Sequence, residues 1–105
     1  MSLNISLKNI SPLVKPEIEE YIAMRTDQLM KYISAPEESV KIKAVISFEK
    51  NHTVYKYHLT VTIKQGKEEV FVGEETKHTH TEAIDAVHDI VKLQILKAHD
   101  KKINH

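Results

Sequence analysis

One stretch, Thr79–Lys102 (THTEAIDAVHDIVKLQILKAHDKK), restricts this chain more than any other, because it has to be a helix with one face buried. Ile84, Val87, Val91, Ile95 and Ala98 fall within about 60° of one line at about 100° per residue. Thr79 and Glu82 supply a T-x-x-E capping box: the hydroxyl accepts from an orphan amide of the first turn, and the carboxylate bonds back to the cap amide. No proline or glycine interrupts the pattern before the lysine-rich end.

A helix of that length needs a surface to cover, and the rest of the chain supplies one. Leu3–Ile10 alternates, with Leu3, Ile5 and Leu7 opposite Asn4, Ser6 and Lys8, as in a half-buried strand. Ser11-Pro12 ends it. Pro16 suits a first helical turn, where its missing N–H costs nothing. Helical spacing of Ile18, Ile22, Leu29 and Ile33 then predicts a helix from Pro16 to about Ile33. Ser34–Ser39 reads as a loop. Alternation resumes over Val40–Glu49, with Val40, Ile42, Ala44, Ile46 and Phe48 on one side. After an Asn51-His52 turn it continues over Thr53–Lys64 through Tyr55, Tyr57, Leu59, Val61 and Ile63. Gln65-Gly66-Lys67 is a hairpin connection, and Glu69–Glu74 forms a last strand around Val70, Phe71 and Val72. The order is β-α-β-β-β-α, an α+β fold: a four-stranded sheet in two layers with both helices on one face. The opposite face, rich in Lys, Ser, Thr and His, faces solvent.

A length of 105 residues fits a single domain, 1–105. Apolar residues at 41% and charged residues at 29% describe an ordinary soluble domain. No apolar run approaches the ~20 residues of a membrane span, and no secretory pattern opens the chain. Cysteine is absent, which removes disulfides and thiolate chemistry. The expected compartment is the cytoplasm. The formal net charge of +0 does not by itself announce a nucleic-acid partner. Its distribution is uneven: Glu17, Glu19 and Glu20 sit where they suit a helix N-terminus, and Lys97, Lys101 and Lys102 gather at the end.

Catalytic chemistry finds no support. There is no glycine-rich phosphate loop and no G-x-S-x-G, and the paired carboxylates (Glu19-Glu20, Glu37-Glu38, Glu68-Glu69, Glu74-Glu75) read as solvated charges. Seven histidines invite a metal. His78 and His80 flank a strand–helix junction without a completing acid or cysteine, however, and His88 lies beside the helix core line. Neither metal nor cofactor is expected, nor a small-molecule substrate. Tyr21, Arg25 and Tyr32 share one flank of the first helix. They are either amphipathic edge residues with wet polar ends or an arginine held by aromatic faces and offered to phosphate.

LNISLKNI at the start, the Pro16-led helix ending Leu29, Lys31, Tyr32, the strand end SFEKN and the segment AIDAVHDIV recur in unbroken order in a known family. In these the chain resembles the short ribosome-hibernation factors, also called ribosome-associated inhibitor or sigma-54 modulation proteins. The β-β-β-α layout is also shared with double-stranded-RNA-binding domains. The resemblance implies a non-enzymatic protein that binds rRNA of the small ribosomal subunit near the decoding region and keeps idle ribosomes inactive. It implies phosphate contacts at Lys8, Arg25, Lys31 and Lys97, which coincide with basic positions of the family, and at Lys101 and Lys102, which extend the same basic end.

The chain departs from the family at Gln28, Ile90 and Leu93, where bases are usual. Each lost phosphate contact lowers the salt slope of binding by roughly 0.7–0.9. Leu93 stands almost opposite the core line of its helix, and Ile90, Leu93 and Leu96 are the candidates for a homodimer contact. The alternative function is therefore a divergent, self-associating regulatory or stress protein that keeps the fold and no longer binds ribosomes.

Overall fold

The computed structural model describes residues 1–103, with side chains as far as Asp100. The elements run β1 (Ser2–Lys8), α1 (Lys15–Met30), a short 3-10 turn (Glu37–Ser39), β2 (Val40–Glu49), β3 (Val54–Gln65), β4 (Lys67–Lys77) and α2 (His80–Ile103). The four strands form one mixed sheet in the order β1-β2-β3-β4. β1 runs parallel to β2, from Ser2↔Lys41 to Lys8↔Ser47, and the other two pairings are antiparallel. α1 is the crossover that a parallel pair requires.

Alternation decides which face is buried. Val40, Ile42, Ala44 and Ile46 of β2 and Tyr57, Leu59, Val61 and Ile63 of β3 all point under the helices. There they meet Ile18, Ile22 and Leu29 of α1 and Ala83, Ile84, Val87, Val91 and Ile95 of α2. The helix line read from the sequence is thus the line that is buried, apart from the half-buried Ala98.

The strand and helix ends differ from expectation for local reasons. β4 is longer at both ends because Gly66, at φ 75°, closes a tight hairpin that pairs Gln65 with Lys67, and because Glu75 and Lys77 still pair with Tyr57 and Tyr55. Val70 and Val72 point outward, 54% and 41% exposed, and only Phe71 of that trio enters the core. α1 stops at Met30, and Lys31, Tyr32 and Ile33 follow in tighter turns that bond back three residues. Asn9 ends β1 in the left-handed region, at φ 59°. At the start of α2, Thr79 Oγ1 accepts from Glu82 N at 3.1 Å, and the Glu82 carboxylate accepts from the Thr79 hydroxyl at 3.0 Å instead of from the cap amide.

One glycine sets the spacing between layers. A Cβ on Gly73 would stand 3.1 Å from methyls of both Val87 and Val91 and 3.2 Å from the Val87 carbonyl. Its absence lets α2 lie directly on β4.

Candidate nucleic-acid interface

The two helices meet along a polar seam built from matched helical rows. Tyr21, Arg25, Gln28 and Tyr32 recur at intervals of three and four along α1, and Asp85, Asp89 and Lys92 do the same along α2. The Tyr21 hydroxyl donates to Asp85 Oδ1 at 2.5 Å. That bond holds the phenolic proton and raises the Tyr21 pKa, with burial and the Asp85 charge adding to it. Arg25 reaches both acids, with Nε 3.3 Å from Asp85 Oδ1 and Nη2 3.1 Å from Asp89 Oδ1. Its Nη1 donates to Gln28 Oε1 at 3.1 Å.

Arg25 is therefore not cradled by aromatic faces. It is a clasp between the helices, with its charge shared by two carboxylates. Tyr32 carries a different cation: Lys92 Nζ lies 4.7 Å from its ring centroid. Lys92, which was not among the expected contacts, supplies a further cation to this seam. The signal was present in the spacing Asp85, Asp89, Lys92, which becomes informative once this row is known to face α1. Arg25, Gln28, Lys31, Tyr32, Asp89 and Lys92 line one shallow cleft over the seam.

Beneath it His88 is 2% exposed, and its Nε2 shares a hydrogen bond of 2.9 Å with the Tyr57 hydroxyl. The two rings stack with centroids 5.7 Å apart. Burial lowers the His88 pKa to about 4, aided by the positive charge of Arg25, and burial raises that of Tyr57. Both are neutral at neutral pH. His80 borders Glu17 at 4.0 Å and meets the Tyr55 ring edge-on. Among the described residues no three His, Asp or Glu side chains converge as a metal site would require.

The expected contact residues do not share one surface. Arg25 and Lys31 line the cleft together. Lys97 is exposed but lies about 140° around α2 from Lys92, on the flank that carries Gln94. Lys8 is exposed on the outer face of the sheet, since it alternates with the inward Leu7. The side chains of Lys101 and Lys102 lie outside the described residues. Of the dimer candidates, Leu93 is 58% exposed, while Ile90 and Leu96 are half-buried. Among the described residues no helix is long and apolar enough to cross a membrane.

Residues 3–103 match the family described as sigma 54 modulation protein / S30EA ribosomal protein. The fold resembles the N-terminal domain of Protein Y from Thermus thermophilus, with a TM-score of 0.71 at 18% identity, covering 90% of this chain and 96% of that one. It also resembles a ribosomal subunit interface protein from Coxiella burnetii, with a TM-score of 0.59 at 14% identity over 95% and 99% of the two chains. No curated protein matches by sequence.

Proposed function

The chain belongs to the sigma 54 modulation protein / S30EA ribosomal protein family, and from that premise we propose that it is a cytoplasmic hibernation factor. In this reading residues 1–105 act as one unit that binds rRNA of the small ribosomal subunit at the decoding region and represses translation in idle cells. No chemistry is required. The observation that carries the reading is the family match over residues 3–103, nearly the whole chain.

The seam shapes how binding would work. Arg25 is internally compensated, so Lys31 and Lys92, which have no carboxylate partner among the described residues, are the cations the cleft offers. Lys8 and Lys97 would engage phosphates on other sides of the same molecule, and Lys101 and Lys102 are proposed as further phosphate contacts. Phosphate contacts of this kind fix position without reading bases. Co-sedimentation with purified small subunits tests the proposal. Binding should weaken as salt rises and should fall when Lys31 and Lys97 are both reversed to Glu; unchanged co-sedimentation of that variant would refute it.

A second reading follows from Leu93, whose exposure on α2 is unusual beside half-buried Ile90 and Leu96. Here the protein self-associates through this flank and does not bind ribosomes. Light scattering of a concentrated solution would then show a dimer, insensitive to salt and dissociated by Leu93→Lys. A monomer at high concentration removes this reading.

A further inference from the structure

The outer face of the sheet carries a second, separate arrangement of cations. Strand register sets its rows. Ser2, Lys41, Thr62 and Val70 form one, and Asn4, Lys43, Thr60 and Val72 the next. Lys41 and Lys43 are both exposed and both point away from the helices. Successive outward residues on a strand are about 6.6–6.8 Å apart, so the two ammonium groups rise side by side. Around them Ser2, Asn4, Thr60 and Thr62 line a shallow depression.

Charge on this half of the sheet is one-sided. No carboxylate occupies either row, and among the described residues neither lysine has an ion-pair partner. The outward acids of β4 stand one row beyond on either side: Glu68 lies opposite Lys64 in the register, and Glu74 is engaged by Lys56 at 3.6 Å and His58 at 3.4 Å. Hydroxyl and amide side chains beside paired ammonium groups are the chemistry of phosphate and sugar contact. Tyrosine and phenylalanine are absent from this face: Phe48, Tyr55, Tyr57 and Phe71 all lie on the inward side by the same alternation. A stacking platform for unpaired bases is thus missing.

We propose that the β1–β2 half of the outer sheet face, centred on Lys41 and Lys43, is a binding surface for the phosphodiester backbone of RNA. It is independent of base sequence and distinct from the interhelical cleft. The inference deepens the ribosome-binding reading, adding a second side from which the protein touches RNA. It leaves the helices free to make their own contacts, because the sheet lies between the two surfaces.

The test compares wild type with Lys41→Glu/Lys43→Glu, the conservative Lys41→Arg/Lys43→Arg, and Lys31→Glu/Lys97→Glu. Each is titrated against a fluorescein-labelled RNA hairpin and against purified small subunits from about 50 to 200 mM salt, with circular dichroism confirming the fold. The Glu pair should weaken binding at least tenfold at the low-salt end and flatten the plot of log K against log salt by roughly 1.4–1.8, two contacts' worth. The Arg pair should retain both affinity and slope. If the Lys41/Lys43 reversal leaves affinity and slope unchanged while the Lys31/Lys97 reversal weakens binding, the sheet face is refuted and the ribosome reading stands. If subunits are not bound but the hairpin is, in a manner dependent on Lys41 and Lys43, the ribosome reading fails and the RNA surface stands. Hairpin and subunits both ignored by wild type would refute both. Displacement of the hairpin by poly-glutamate at equal concentration would mark a general anion surface and overturn the RNA assignment.

Discussion

Gln94 grips the backbone of Val72 at two points: its Oε1 accepts from the Val72 N–H at 3.2 Å, and its Nε2 donates to the Val72 carbonyl at 2.7 Å. β4 is an edge strand, and its outward backbone groups are open to pairing with another chain. The Gln94 amide stands where the next strand would lie. Replacing it with Ala should cost only about 1 kcal/mol in stability. It should, however, raise concentration-dependent association in sedimentation velocity, because Val70 and Val72 are exposed beside the uncovered edge. A Gln94→Ala protein that stays monomeric over the same range would show that the amide does not guard this edge.

The clasp across the helices predicts a coupling. Arg25→Met removes ion pairs to Asp85 and Asp89 that are partly open to solvent, with side-chain exposures of 21%, 44% and 67%. A loss of about 1 kcal/mol is expected, not the larger figure of a buried pair. A double-mutant cycle with Asp89→Asn should give a coupling of about 0.5–1 kcal/mol that shrinks in high salt. Zero coupling would mean that the seam is held by apolar contacts alone.

The buried His88 makes stability depend on pH in a defined direction. Its folded-state pKa, about 4, lies below the ordinary value of 6.5, so the unfolded chain takes up a proton first as pH falls. The contribution is complete above about pH 6.5, declines between about 6.5 and 4, and is flat below that, amounting to roughly 3 kcal/mol in all. Urea melts across this window should show the loss in wild type and not in His88→Gln, whose midpoint is lower but flatter. Parallel curves for the two proteins would contradict the assignment.

Gly73 should be the least replaceable glycine. Gly73→Ala puts a methyl against Val87 and Val91, and overpacking of that kind costs about 1–3 kcal/mol. Gly66→Ala meets no atom within 4 Å and suffers only from its positive φ, a penalty of about 1 kcal/mol. Thermal melts of the two variants should rank in that order.

What could be read from the residues was whatever depended on period. Alternation placed every inward side chain of β2 and β3, and the 3.6-residue period placed the buried line of α2, because burial follows those repeats directly. Val70 and Val72 escaped, since three consecutive apolar residues do not say which of them faces in; the pairing with Thr62 and Thr60 decides it. The seam escaped for a different reason. Arg25 could be assigned a free charge only while its neighbours were unknown, and Asp85 and Asp89 lie about 60 residues away in the chain. Lys92 stayed out of view for the same cause: one helical wheel shows a direction but not what stands there.

The parallel pairing of β1 with β2 also fixes an order of events in time. Every β1 partner lies 39 positions further along the chain, from Ser2 with Lys41 to Lys8 with Ser47, whereas β2, β3 and β4 pair through short hairpins. Loop closure favours near partners. On a growing polypeptide β1 therefore has no mate until β2 has emerged, and joins a meander whose other strands can pair locally. Pulsed hydrogen exchange during refolding should protect β3 amides before those of Leu3, Ile5 and Leu7. The N-terminal strand of this protein is the closing piece of its sheet.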